Sequence, residues 1–110
     1  MLDASLALDH VQIPARDPEG LARWYAQTFA LRAQGNRVCG PGLLLVFQVG
    51  EPVKRAPELH VGFHVPTMAA LTGWADKLGA KIISGKTEFA SVSMLDPEGN
   101  GVELYCLANA

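Results

Sequence analysis

Three side chains of this 110-residue chain carry donors suited to a divalent metal and fall at related positions: His10, His60 and Glu103. Neutral imidazole and carboxylate are ligands for Zn, Fe, Ni, Co or Mn, and three protein ligands leave positions open for substrate or water. The two histidines are 50 residues apart, and other residues obey the same shift. Val11 falls on Val61, Leu21 on Leu71, Trp24 on Trp74 and Ala30 on Ala80. Such self-similarity points to two similar units of about 50 residues. A lone strand histidine is more often structural than a ligand, and a lone glutamate on an end strand is more often exposed. Two histidines related by the repeat, facing the same way as the glutamate, bring the metal reading level with that alternative.

Each unit reads as strand, helix, strands. Residues 7–13 are expected to form a strand stopped by Pro14. Asp17 is a good N-cap, with Pro18 at the first helical position and Glu19 at the positive end of the dipole. Leu21, Trp24, Tyr25, Thr28 and Phe29 recur at helical spacing as the buried stripe. In the second unit, residues 59–65 form a strand stopped by Pro66. Thr67 caps a helix whose apolar face is Met68, Leu71, Trp74, Ala75 and Leu78, and Gly79 suits the residue past its end. Residues 31–39 are ambiguous and broken by Gly35, Pro41-Gly42 marks a turn, and 43–49 is a strand. Residues 80–84, 89–95 and 102–107 are read as strands, with a dense turn signal over Asp96 to Gly101. Residues 50–58 form the linker.

Strand alternation then sorts the faces. His10 and Gln12 oppose Val11 and Ile13, while His60, Gly62 and His64 oppose Val61 and Phe63. Ser91 and Ser93 oppose Val92 and Met94, and Glu103 and Tyr105 oppose Val102, Leu104 and Cys106. One apolar side meets a helix; the other holds the polar groups. Such sheets can curve around a cavity in an α+β arrangement. His64 is expected beside the ligands or facing substrate. Gln12 and Tyr105 can hydrogen-bond a substrate or simply line the cavity, and Ser93 shares their polar side. Leu8, Leu44 and Val46 offer apolar lining, and Gln48 lies on the face of Leu44.

Composition excludes much. Apolar residues make up 49% and charged residues 18%, with a net charge of -2, so the chain is globular rather than disordered. Charges are scattered, and no basic patch suggests nucleic acid. The longest apolar run, residues 43–47, is far short of the ~20 needed to span a bilayer, and no signal peptide is evident. The two cysteines, Cys39 and Cys106, form no CxxC pair, and a cytoplasmic protein with reduced thiols is expected. There is no dinucleotide fingerprint, phosphate loop or nucleophile elbow.

Residues 8–13 (Leu-Asp-His-Val-Gln-Ile), 60–65 (His-Val-Gly-Phe-His-Val) and 95–104 (Leu-Asp-Pro-Glu-Gly-Asn-Gly-Val-Glu-Leu) together resemble the vicinal oxygen chelate superfamily. This is the group of glyoxalase I, fosfomycin-resistance, bleomycin-resistance and extradiol dioxygenase proteins. The resemblance implies one domain over 1–110, built as two βαβββ half-units at about 5–50 and 58–108. These would form a curved mixed sheet around a cavity, with helices on the outer face. It implies His10, His60 and Glu103 as metal ligands and a homodimer as the assembly. Glyoxalase I proteins usually add a glutamate late in the first unit; superposing Gly42 on Gly101 puts Leu44 there, which cannot ligate.

Two functions are expected from these readings. One is a metalloenzyme acting on a small oxygen-rich molecule, of lyase, isomerase, transferase or dioxygenase type. In it Glu103 ligates and moves a proton, with His64 assisting and Gln12, Leu44, Gln48, Ser93 and Tyr105 lining the substrate. The other is a metal-free module that sequesters a small molecule, in the manner of bleomycin-resistance proteins.

Overall fold

The computed structural model describes residues 6–53 and 59–110. The elements are β1 (Val11–Ala15), α1 (Pro18–Phe29), β2 (Arg32–Gln34), β3 (Arg37–Gly40), β4 (Leu43–Val49), β5 (His60–His64), α2 (Met68–Leu78), β6 (Phe89–Leu95) and β7 (Gly101–Leu107). They divide between two compact units, residues 1–53 and 54–110. Each unit is α+β: a strand, a helix, then strands that return to pair with the first.

In the first unit the sheet order is β1-β4-β3-β2. β1 runs parallel to β4, and β3 is antiparallel to both β4 and β2. The crossover between the parallel strands is α1, whose start follows local chemistry. Asp17 accepts a hydrogen bond from the Gly20 amide at 3.1 Å, and Pro18 occupies the first turn. The helix ends at Ala30, which takes a left-handed φ of 55°. Leu21, Ala22, Tyr25 and Phe29 are buried on the sheet side. Tyr25 stacks on Phe47 of β4 at 5.4 Å between ring centroids, and Val38 and Leu45 complete the core. Full burial of each such side chain contributes roughly 1.5–3 kcal/mol. Trp24 is only half-buried, edge-on to Tyr25 and Phe29.

Two local expectations are corrected here. The first strand does not span 7–13. It begins at Val11 and runs through Pro14 to Ala15, so His10 precedes it. β1 is an edge strand, where a missing amide proton is tolerated. The ambiguous stretch 31–39 is a hairpin of β2 and β3, with Gln34 opposite Arg37. Among the described residues of this loop only Gly35 has a positive φ, at 60°, the pattern of a two-residue type II′ turn.

Among the described residues, the second unit repeats the plan with one strand fewer. Its sheet order is β5-β7-β6, with β5 parallel and β6 antiparallel to the central β7. Thr67 caps α2 by accepting from the Ala70 amide at 3.1 Å, and Gly79 closes it with a φ of 65°. α2 packs on β6 and β7. Leu71 and Ala75 are buried with Val65, Ala90, Val92, Val102, Leu104 and Cys106. The Cys106 thiol meets the Met68 sulfur at 3.5 Å, the helix-facing orientation that alternation predicts. Residues 80–84 are not a strand: only an isolated bridge, Ile83 to Ser91, stands where the first unit has β2. Ser84-Gly85, with a φ of 89° at the glycine, turns the chain away before a ladder forms. No described helix is long and apolar enough to cross a membrane.

Candidate functional site

β7 is the middle strand of its sheet, so its side chains have neighbours on both sides. Val102, Leu104 and Cys106 are buried against α2, which turns Glu103 and Tyr105 to the opposite face. The register then aligns rows across that face. Glu103 stands between Gly62 of β5 and Ser93 of β6, and Tyr105 between His64 and Ser91. His60 lies diagonally across from Glu103, its Nε2 3.7 Å from the carboxylate Oε1. Both side chains are about one-third exposed, at 38% and 32%. Two donors each about 2.1 Å from one ion, at a tetrahedral angle, are separated by about 3.4 Å, so this nitrogen–oxygen pair is close to ligand spacing. Imidazole and carboxylate also fit a divalent ion chemically. Gly62 keeps the place beside Glu103 open: a Cβ there would meet nothing within 4 Å.

Two concavities flank the carboxylate. One, of about 290 Å³, is lined by His60, Ser93, Met94, Leu95, Val102 and Glu103, among others. The other, of about 500 Å³, is lined by Lys86, Thr87, Phe89, Ser91, Tyr105 and again Glu103, with Ile83 and Ser84. Tyr105 sits edge-on to Phe89 at 5.7 Å and to His64 at 5.3 Å. His64 is exposed and, among the described residues, lines neither concavity.

The hairpin that carries Glu103 is set by Asp96, which is only 5% exposed. Its Oδ1 accepts from the Glu98 and Asn100 amides, both at 2.9 Å, and its Oδ2 accepts from the Asn100 side-chain amide at 2.8 Å. Gly99 follows with a φ of 88°. This turn sets Leu95 opposite Gly101, and hence Ser93 opposite Glu103.

The first unit holds the remaining expected residues. His10 is half-exposed, and its Nδ1 is 2.8 Å from the Asp9 carboxylate; with Nδ1–H donating there, the Nε2 lone pair is the ring's ligating position. Gln12 is exposed on β1 opposite Val46, and Leu44 is half-buried on β4. Gln48 lines a concavity of about 500 Å³ with Asp17, Arg23, Asn36 and Phe47. Among the described residues, no group of three or more His, Cys, Asp or Glu is clustered as a metal site, so within its own unit the His60–Glu103 pair has two donors.

Residues 6–105 match the model of the glyoxalase-like domain family. The chain belongs to that family. It is thereby a member of the vicinal oxygen chelate superfamily. Among solved structures, this glyoxalase-like domain is similar to a lactoylglutathione lyase from Agrobacterium tumefaciens, at 21% identity and a TM-score of 0.65, covering 90% of this chain and 92% of that one. It is similar to the fosfomycin resistance protein FosX from Mesorhizobium loti, at 19% identity and a TM-score of 0.64, covering 90% of each chain. A third is a glyoxalase/bleomycin resistance protein/dioxygenase family enzyme from Burkholderia phytofirmans, at 18% identity and a TM-score of 0.66, covering 87% and 94%. At these identities the likeness is one of fold. No curated protein matches the sequence.

The internal registers of the glyoxalase-like domain refine one superposition. Val11 pairs with Leu45 as Val61 pairs with Val102, so the first-unit counterpart of Glu103 is Val46 rather than Leu44. Either residue is apolar, and neither can ligate. Lys86, Thr87 and Phe89 are lining residues that the sequence pattern does not single out. The signal available was Gly85, which breaks the alternation and starts a loop beside a polar face.

Proposed function

We propose that this glyoxalase-like domain is a divalent-metal-dependent enzyme acting on a small oxygen-rich molecule, with His60, Glu103 and His10 as the metal donors. The observation that carries this reading is the His60–Glu103 pair at 3.7 Å, on the open face of the sheet and between two concavities. The ion is one of Fe, Mn, Ni, Co or Zn, all of which take this donor set. When bound, such an ion supplies stabilisation for negative charge developing on a substrate oxygen. Asp9 holds Nδ1 of His10 and so orients its ring, as carboxylates commonly do for metal-binding histidines. Glu103 also exchanges a proton with substrate, and the Tyr105 hydroxyl donates a hydrogen bond to it. His64, packed edge-on against the Tyr105 ring, holds that ring in place and stands as the second proton-transfer candidate. Ser93 lines the site beside Glu103, and Gln12, Leu44 and Gln48 are assigned as lining from the first unit. The fold neighbours named as a lactoylglutathione lyase, a fosfomycin resistance protein and a glyoxalase/bleomycin resistance protein/dioxygenase family enzyme support small-molecule chemistry, which we assign to the lyase, isomerase, transferase or dioxygenase type. The reading includes a single domain over 1–110 acting as a cytoplasmic homodimer.

Elemental analysis of protein purified without chelator tests it, together with metal-dependent melting. About one equivalent of a divalent metal per chain is expected, lost in His60→Ala and Glu103→Ala and weakened in His10→Ala. Unchanged metal content and melting in all three variants would overturn the reading. Tight binding of a small molecule with metal absent and no turnover would replace it with sequestration.

A further inference from the structure

We propose that the larger concavity beside Glu103 takes an organic monoanion with a flat apolar body, bound with its charge at Lys86 and its reactive oxygen toward Glu103. This deepens the functional reading above and rests on it for the role of Glu103. The pocket, of about 500 Å³, has the size of ordinary small-ligand sites, roughly 300–1,000 Å³.

Its lining divides chemically. Phe89 and Tyr105 meet edge to face at 5.7 Å and present apolar ring surface. Aromatic surface of this kind takes planar apolar groups by offset or edge-on packing. Among the described residues of the lining Lys86 is the only cation and Glu103 the only acid. Among the described residues Lys86 has no ion-pair partner. An anionic group at Lys86 is attracted by the ammonium and can accept from hydroxyls of Ser84, Thr87 or Ser91. One ammonium offers one anionic group a partner, and the rest of the lining apart from Glu103 is apolar, aromatic or hydroxyl-bearing.

The loop that carries Lys86 is tied down at both ends. Ile83 and Ser91 exchange backbone hydrogen bonds of 2.8 and 2.9 Å, and the Glu88 carbonyl accepts from the Ala108 amide at 2.8 Å. The Thr87 hydroxyl oxygen accepts from the Phe89 amide at 3.1 Å. A held loop positions its ammonium at lower entropic cost than a loose one.

Titration calorimetry with phenylacetate and its uncharged isostere phenylacetamide tests this, on protein as purified and after chelator treatment. Phenylacetate is expected to bind about tenfold more tightly than the amide, the scale of one charge-assisted contact. Lys86→Gln should erase that preference while leaving metal content and melting unchanged. Phe89→Ser should weaken both ligands alike. Equal affinities in the wild type, a preference that survives in Lys86→Gln, or no detectable binding of either ligand would overturn the proposal. A preference that persists in metal-free protein while metal content proves nil would sink the metal reading and keep this one; the reverse pattern would do the opposite.

Discussion

Replacing Asp96 should reach Glu103 through the turn that aligns it. The carboxylate accepts three hydrogen bonds of 2.8–2.9 Å and is 5% exposed. A protein hydrogen bond contributes about 1 kcal/mol net, and one to a charged group about 1.5–3. The donors at Glu98 and Asn100 are half-buried, so water can recover part of the loss and the lower value applies. Asp96→Ala should then cost about 3 kcal/mol. Asp96→Asn keeps an oxygen for the two backbone amides but sets one NH2 against that of Asn100, and should cost about 1–1.5 kcal/mol. At roughly 4 °C per kcal/mol for a chain of this size, the melting points should fall by about 12 °C and about 5 °C. Urea unfolding followed by tryptophan fluorescence, at constant m-value, measures both. Metal affinity should fall in the same order, because loss of the turn frees the pairing of Ser93 with Glu103. A cost under about 1 kcal/mol for Asp96→Ala, or an equal cost for both variants, would refute the reasoning.

Three further outcomes are expected. Asp9→Ala frees the His10 ring and should weaken metal binding about 10–100-fold in a chelator competition assay, with little change in melting. Ala30→Gly relieves a Cβ held at a φ of 55° and should raise unfolding free energy by about 1 kcal/mol in a urea titration. Gly62→Val places a side chain on the open position opposite Glu103, on the strand of His60; a chelator competition assay should show weakened metal binding, while stability stays within about 0.5 kcal/mol.

Much of this architecture was legible in the sequence because local chemistry and tertiary packing agree. Asp17 and Thr67 cap the helices where their side chains suggest, and strands 43–49 and 89–95 have the expected bounds. Disagreements occur where pairing outweighs local preference. Pro14 stops a strand only if its amide is needed, and on the edge strand β1 it is not. The β2–β3 hairpin hides because Arg32 to Gln34 are all exposed and show no alternation. The stretch 80–84 has strand-like residues but only one bridge to pair with. At the site, alternation correctly put His60, Glu103, Ser93 and Tyr105 on one face. It could not supply the 3.7 Å distance, which depends on the stagger between β5 and β7, nor Lys86, which lies in a loop without periodicity.

The lone Ile83–Ser91 bridge, where the first unit has the strand β2, has a consequence for how such a protein can change. Glu103 sits on the innermost strand of its sheet, where substitution disturbs two ladders at once. Lys86 sits in the stretch after the isolated Ile83–Ser91 bridge, outside any named strand, where no ladder is disturbed. On the proposed roles of Glu103 and Lys86, chemistry and selectivity are written in separate parts of the chain, and exchanging residues 84–88 should let one reactive centre be readdressed to new substrates without being rebuilt.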